Sequence, residues 1–209
     1  RAAKGVAWAA FLNAGQTCAS VERVYVEKPV AEAFLAKVLE ETRKVRLTAT
    51  TGGGDMGPLT LERQRRIVEE HVADAVAKGA RVLTGGAAPA GPGFFYPPTV
   101  LVDVDHTMTI MREETFGPVL PIMEVASLDE AIRLANDSPY GLTASGWTRS
   151  GETARRLQRE LLAGIVSIND HVSSFGEPIA PWGGVKWSGI GRIHGLAGLR
   201  EMVQTKYVS

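Results

Sequence analysis

The single cysteine of the 209-residue chain is the residue best suited to covalent chemistry. Cys18 lies in the stretch FLNAGQTCAS, residues 11–20, among small and polar residues that are typical of a turn. Such a turn exposes backbone N–H groups beside the sulfur, so the thiol could attack a carbonyl carbon while its own amide stabilises the oxyanion. A lone cysteine is otherwise a small buried hydrophobe. A reactive thiol also needs a base or a positive field, and no histidine stands in this turn.

Other reactive residue types lack the spacing that a metal or phosphate site requires. One cysteine and four scattered histidines predict no metal site. The glycine-rich stretch TTGGGDMGPLT, residues 50–60, has neither the lysine of a P-loop nor the glycine order of a dinucleotide fingerprint, and we interpret it as a connector. A second such stretch, residues 183–195, follows a proline-containing loop instead of a strand, which argues against a nucleotide motif there.

Alternating helical and strand patterns must position the cysteine turn. The periodicity of apolar residues predicts helices over residues 2–15, 29–45, 59–80, 127–138, 151–163 and 196–203. It predicts strands over residues 21–27, 81–86, 99–104, 119–125, 142–148 and 164–170. Ser127 and Glu130 have the spacing of a capping box. Strands separated by helices predict an α/β fold with one largely parallel sheet covered by helices on both faces.

Composition limits the partners and the compartment. The formal net charge is zero, and 44% of residues are hydrophobic, so a nucleic-acid partner is not expected. No apolar run is long enough for a membrane span, and the N-terminus has no signal-peptide layout. One cysteine forms no internal disulfide, which favours a cytoplasmic protein. The chain begins at Arg1 in helical composition, and we expect it to be a segment of a longer protein.

Five ordered blocks of the sequence resemble the NAD(P)-dependent aldehyde dehydrogenase superfamily. In FLNAGQTC the residues Phe11, Gly15, Gln16 and Cys18 hold positions of its cysteine signature. The later blocks are EETFGPVLPI (113–122), NDSPYGLTASGWT (136–148), GIVSIND (164–170) and PWGGVKWSGIGRIHG (181–195). The similarity runs through nearly the whole chain and implies a fold of the aldehyde dehydrogenase catalytic-domain type. Ile193 departs from the pattern, because many members have glutamate there.

The resemblance implies a reaction and roles for particular residues. Cys18 would be the nucleophile that forms a thiohemiacetal with an aldehyde; hydride transfer to NAD or NADP and hydrolysis of the thioester would give the carboxylic acid. Glu114 would bind the nicotinamide-side ribose hydroxyls, and Phe116 would lie beside the nicotinamide. The alternatives are a solvated loop acid for Glu114 and a core ring for Phe116. Gln16 and Asn169 would be structural residues near the site.

The resemblance also bears on the late loop. The stretch DHVSSFGEPIAPW, residues 170–182, offers Phe175 and Trp182 beside His171 as candidates that line a substrate tunnel, with Trp182 standing where the family commonly has phenylalanine. Glycines of the last block are expected to permit positive φ in a tightly turned loop. The matching positions are Pro181, Gly183, Gly184, Lys186, Ser188, Gly189, Gly191 and Arg192.

Several parts of the family's machinery stand upstream of its cysteine, whereas only 17 residues precede Cys18 here. These parts are the general-base glutamate, an asparagine oxyanion donor and the dinucleotide-binding domain. Residues 1–209 are therefore expected to form the catalytic domain, to need the upstream half of the enzyme for efficient turnover, and to belong to a homo-oligomer. Two alternatives stay open: a cysteine acyl-transfer enzyme, including a CoA-acylating dehydrogenase, and a non-catalytic assembly domain.

Overall fold

The computed structural model describes residues 1–49, 53–171 and 173–209. The chain forms two compact units, residues 1–131 and 132–209. Part of the glycine-rich connector, residues 50–52, lies outside the described residues. Its described remainder, residues 53–60, contains no helix and joins the preceding segment through a bridge between Leu47 and Met56.

The first unit is built around a four-stranded sheet with the order β1-β4-β3-β2. Strand β4 is parallel to both β1 and β3, and β2 pairs antiparallel with β3. All four residues of β3 are buried, as expected for an inner strand. The elements are α1 (Ala2–Phe11), β1 (Val24–Glu27), α2 (Lys28–Lys44), α3 (Glu62–Ala77), β2 (Arg81–Thr84), β3 (Thr99–Val102), β4 (Val119–Val125) and the start of α4 (Leu128–Asn136).

Helices α1 and α2 pack on each other and on this sheet. Helix α1 is rich in alanine, the strongest helix former, and contacts β4, while α2 contacts β1 and β4. Small alanine side chains allow the close approach of α1, and six of its residues are buried. Pro29 occupies the first turn of α2, where its missing N–H costs no hydrogen bond. This packing fixes the end of α1, from which the cysteine turn begins.

The second unit contains a pair of parallel strands, β5 (Thr143–Gly146) and β6 (Ile165–Ile168). Helix α5 (Gly151–Glu160) connects them, and the Ser150 side chain caps it by accepting a hydrogen bond from the Thr153 N–H at 3.2 Å. A short helix α6 (Gly195–Glu201) follows the last glycine-rich block. The rest of α4 also belongs to this unit.

The predicted α/β class and the largely parallel pairing are confirmed. The described strands form a four-stranded and a two-stranded sheet. The first helix ends at Phe11 and not at Gly15, since Asn13 and Ala14 have positive φ. In the capping box Ser127 accepts from the Glu130 N–H, but Glu130 accepts from Ala126 instead of Ser127.

None of the helices within the described residues is long and apolar enough to cross a membrane. That residues 1–209 together form one catalytic domain stays a prediction.

Candidate active site

Cys18 is exposed in a tight turn between α1 and β1. The Ser20 N–H donates to the Thr17 carbonyl at 2.8 Å and closes the turn around the cysteine. The Ser20 hydroxyl also donates to the Ala9 carbonyl at 3.2 Å, which ties the turn to the end of α1. Within the part of the chain that the structure describes, no residue accepts a hydrogen bond from the Cys18 N–H. Sulfur and amide are therefore both available to an incoming carbonyl group.

Gln16 holds the preceding residues in place. Its side-chain amide donates to the Asn13 carbonyl, and the Asn13 amide donates to the Gln16 carbonyl, each at 3.0 Å. The Gln16 Oε1 accepts from the Thr60 N–H at 2.9 Å, which joins the turn to the segment before α3. Gln16 thus bonds backbone on both sides and acts on the turn structurally.

The close approach of Gly15 to Gly117 joins the cysteine turn to the second sequence block. Gly15 has φ 71°, and a Cβ at this position would overlap the carbonyl oxygen of Gly117. Only glycine satisfies both conditions. The contact brings the loop with Glu114 and Phe116 against the turn that carries Cys18.

Helix α3 and its flank hold this loop from another direction. Thr115 is fully buried, its carbonyl accepts from the Gln64 side chain at 2.7 Å, and its hydroxyl lies 3.2 Å from Nδ1 of His71. His71 is partly buried, which lowers the pKa of its imidazole. Phe116 has φ 50°, an unfavourable left-handed conformation for a residue with a Cβ. Several surrounding contacts must together hold Phe116 in this conformation.

Glu22 supplies two of those contacts. One carboxylate oxygen accepts from the Thr115 N–H and the other from the Phe116 N–H, both at 3.0 Å. Desolvation raises the pKa of Glu22 to about 7, and the charge of Glu114 adds to the rise, while the backbone hydrogen bonds oppose it. Sequence reasoning did not single out Glu22. Its signal is its position in the alternating stretch VERVYVE, in step with the buried Val26.

The two residues assigned to the cofactor differ in exposure. The side chain of Glu114 is exposed, although partial desolvation raises the pKa of its carboxyl. The ring of Phe116 is partly buried. An exposed carboxylate next to a backbone-restrained aromatic residue is suited to a ligand with a diol and a flat ring. The structure thus brings Cys18, Gln16, Glu114 and Phe116 into one region of the first unit.

In the second unit, Asn169 ties the ends of the strand pair together. It has φ 59°, its Oδ1 accepts from the Thr148 N–H at 2.9 Å, and its Nδ2 donates to the Thr148 carbonyl at 2.8 Å. Both bonds are to backbone, so the side chain acts as a local brace. Asparagine tolerates the left-handed region better than most residues.

The three tunnel candidates share this unit, and two of them form an aromatic pair. The rings of Phe175 and Trp182 meet edge to face with centroids 5.2 Å apart. Trp182 is buried and Phe175 is 54% exposed, so the pair presents one ring to the outside of the unit. His171 is buried, and its backbone N–H donates to the Asp170 carboxylate at 2.7 Å. The tunnel role of all three residues stays a prediction.

Most glycines of the last block, residues 181–195, are needed because other atoms lie close to their α-carbons, and fewer because of positive φ. Of its glycines at 183, 184, 189, 191 and 195, only Gly189 and Gly195 have positive φ. A Cβ on Gly183 would lie 2.6 Å from the Gly191 carbonyl oxygen, and one on Gly184 would meet Ser188. The expectation that these glycines permit positive φ is therefore wrong for most of them. Among the described residues, no group of three or more His, Cys, Asp or Glu side chains could hold a metal ion.

The sequence is similar to that of a known protein family. The sequence profile of the aldehyde dehydrogenase family matches residues 1–208. The chain belongs to the aldehyde dehydrogenase family. It is 46% identical over 212 aligned residues to a protein of Mycolicibacterium smegmatis named "Putative succinate-semialdehyde dehydrogenase", of the NADP(+) type, with 100% of this chain and 41% of the relative covered.

Solved structures of the aldehyde dehydrogenase family agree in fold. Lactaldehyde dehydrogenase from Escherichia coli superposes with a TM-score of 0.94 at 41% identity, covering 99% of this chain and 43% of that one. Betaine aldehyde dehydrogenase from Staphylococcus aureus, in complex with NAD+, gives a TM-score of 0.89 at 35% identity, covering 96% of this chain and 40% of that one. The chain thus spans about two fifths of the length of the relatives it matches.

Proposed function

We propose that residues 1–209 are the cysteine-bearing catalytic domain of an enzyme that oxidises an aldehyde to a carboxylic acid with NAD+ or NADP+. The observation that carries the proposal is the contact between Gly15 and Gly117. It sets the turn with the exposed Cys18 against the loop with Glu114 and Phe116. A nucleophile and a surface suited to a dinucleotide thus share one region. Membership of the aldehyde dehydrogenase family supports the same reaction.

The chemistry assigned to this chain begins with Cys18. Its sulfur forms a bond to the aldehyde carbon, and the carbonyl electron pair moves to oxygen, where the Cys18 N–H donates a hydrogen bond. Collapse of this thiohemiacetal re-forms the C=O bond and expels hydride, leaving a thioester on Cys18. Water then attacks the thioester carbon, the C–S bond breaks, and the carboxylic acid leaves with the thiol restored.

The residues present fit a nicotinamide dinucleotide. The cofactor, when bound, accepts the hydride. The Glu114 carboxylate can accept hydrogen bonds from a ribose diol, and Phe116 offers an aromatic surface beside it. The Glu114 carboxylate places negative charge in this loop, which favours a cationic ring over a neutral one. The upstream part of the protein is proposed to supply the rest of the dinucleotide site, the general base and a second oxyanion donor.

The names of the relatives suggest which aldehydes to test. One relative is named for succinate semialdehyde, one for lactaldehyde and one for betaine aldehyde, at 46%, 41% and 35% identity. We propose small polar aldehydes as the substrate class, with Phe175, Trp182 and His171 as candidates that select among them. We further propose a homo-oligomeric, cytoplasmic enzyme, which gel filtration of the complete encoded protein and cell fractionation would test.

The experiment measures whether Cys18 reacts with the aldehyde and whether water or CoA accepts the acyl group. The complete encoded protein is mixed with each aldehyde and NAD+ or NADP+, and reduced cofactor and acid product are measured, with Cys18→Ser as the matched variant. We expect aldehyde-dependent reduction in wild type, none in Cys18→Ser, and protection of Cys18 from iodoacetamide by the aldehyde. If product forms only when CoA is added, CoA and not water accepts the acyl group from Cys18, and the protein is a cysteine acyl-transfer enzyme. A thiol that labels no faster than a free thiol and is not protected would support a non-catalytic assembly domain.

A further inference from the structure

We propose that Glu22 is a positioning residue, a two-pronged clamp that fixes the backbone of Thr115 and Phe116 and so presents Glu114 and Phe116 to the cofactor. The inference rests on the proposed function. It assigns to this reaction a residue that lies outside the matched sequence blocks, between the cysteine turn and β1.

The geometry of the clamp is that of an ionised carboxylate. Its two oxygens each accept one backbone N–H, from Thr115 and from Phe116, and both distances are 3.0 Å. A carboxylate is the side chain that accepts at two points at once without bringing a donor. An amide of the same shape would turn an N–H₂ group toward one of the two backbone donors. The site is therefore selective for an acid and not merely for a polar residue.

The loop needs such a clamp because it is strained and exposed where it would meet the ligand. Phe116 has φ 50°, which a residue with a Cβ adopts only when its surroundings compel it. Gln64 and His71 hold Thr115 from the side of α3, through its carbonyl and its hydroxyl. The two N–H groups of the loop are held by Glu22. Release of these donors would free Phe116 to relax toward ordinary φ and would move the adjoining Glu114.

The clamp also couples the loop to the nucleophile. Glu22 follows Cys18 by four residues, and Ser20 between them is tied to α1. The same turn contacts the same loop at Gly15 and Gly117. Two independent contacts therefore set the distance between the thiol and the cofactor loop, one of van der Waals type and one of charge-assisted hydrogen bonds.

Protonation should open the clamp. A protonated carboxyl turns its O–H toward one of the two N–H groups and loses that bond. The charged and titratable groups around Glu22 in the described structure are Glu114, which repels its negative charge, and His71, on the far side of the Thr115 hydroxyl. Burial raises the pKa of Glu22 to about 7, so the opening falls in the neutral range.

The test compares Glu22→Gln with Glu27→Gln in the complete encoded protein. Glu27 is an exposed acid at the end of β1 and serves as the matched control. For Glu22→Gln we expect a KM for NAD+ or NADP+ about tenfold above wild type, since one buried donor loses its acceptor. The rate at which iodoacetamide labels Cys18 without cofactor should stay within about twofold of wild type. In wild type the KM should rise as the pH falls below about 7, and in Glu22→Gln it should rise less over the same range, because only Glu114 is left to titrate there.

A readout free of activity is hydrogen exchange at the loop. The Thr115 and Phe116 amides should exchange about tenfold faster in Glu22→Gln than in wild type, and at the wild-type rate in Glu27→Gln. If Glu22→Gln does not fold by circular dichroism, Glu22→Asp keeps the charge, shortens the reach by one methylene, and should raise the KM and the exchange rate in the same direction.

The outcomes separate the two proposals. Wild-type protein with no aldehyde-dependent cofactor reduction would overturn the proposed function and this role with it. An active wild type in which Glu22→Gln leaves the KM and the amide exchange unchanged would overturn only the clamp. Equal loss of cofactor binding and of Cys18 labelling would also overturn it, because that result indicates a general structural role.

Discussion

At the residue scale, Gly15 carries two constraints that can be separated by mutation. It has φ 71°, and its α-carbon faces the carbonyl oxygen of Gly117. Gly79 has φ 106° but has no atoms within 4 Å of an added Cβ. We expect Gly79→Ala to cost about 1 kcal/mol from backbone strain alone, and Gly15→Ala to cost about 3 kcal/mol because overlap with Gly117 is added.

Urea unfolding of the two variants and of wild type measures this difference. Gly15→Ala should in addition slow cofactor-dependent turnover, since the loop of Glu114 must shift to admit the methyl group. Equal losses of stability in the two variants would contradict the close contact between the turn and the loop.

Glu22 makes a second residue-scale prediction, on stability against pH. The pKa of its carboxyl is raised from 4.5 to about 7 in the folded chain. Between these values the folded state binds the proton and the unfolded state does not, so the contribution of Glu22 to the free energy of unfolding falls as the pH rises. It is fully present below about pH 4.5 and lost above about pH 7.

The difference in free energy of unfolding between wild type and Glu22→Gln should therefore change with pH in this window and be constant on either side of it. Urea titrations at several pH values from acid to neutral measure it, and Glu27→Gln should run parallel to wild type throughout. A wild-type minus Glu22→Gln difference that does not vary with pH would contradict the raised pKa.

At the element scale, the ends of β5 and β6 are joined by one side chain. Asn169 makes two hydrogen bonds to the backbone of Thr148 and has φ 59°. Asn169→Gly keeps the conformation and loses both bonds, so we expect a loss of about 2 kcal/mol. Asn169→Ala loses the bonds and adds strain, and should cost about 1 kcal/mol more. Thermal unfolding of both variants would show this order, and equal stabilities would refute the role of φ.

Several elements could be predicted from the sequence because one strong signal sets each of them. Pro29 marks the start of α2, and the apolar stretch at Thr99–Val102 marks an inner strand. The sequence places the end of α1 at Gly15 instead of Phe11, because no local pattern marks the positive φ of Asn13 and Ala14.

The residues of the candidate site could also be predicted only in part from the sequence. Cys18 stands out because it is the only thiol in a turn of small residues. Glu22 and Thr60 escape sequence reasoning, because their partners are distant in the chain and their roles depend on backbone groups. Backbone N–H donors have no sequence signature, so a side chain that accepts hydrogen bonds from them cannot be distinguished in the sequence from an ordinary surface residue.

At the scale of the whole molecule, the proposed reaction divides between this chain and the rest of the enzyme. The chain spans about two fifths of the length of its relatives. We expect residues 1–209 alone to react at Cys18 with iodoacetamide but to form no NADH or NADPH above the background without protein. Fusion to the part of the Mycolicibacterium smegmatis relative that this chain does not match should restore cofactor reduction. Turnover by residues 1–209 alone would refute this division.

The solitary, exposed thiol also gives the chain an internal standard. Cys18 is the only cysteine in residues 1–209, so any thiol-specific reagent reports on this one atom without background. The moles of reagent consumed equal the moles of accessible Cys18 thiol. A preparation of residues 1–209 can thus be titrated before its thiol reactivity is measured, and weak labelling can be assigned either to few accessible thiols or to slowly reacting ones.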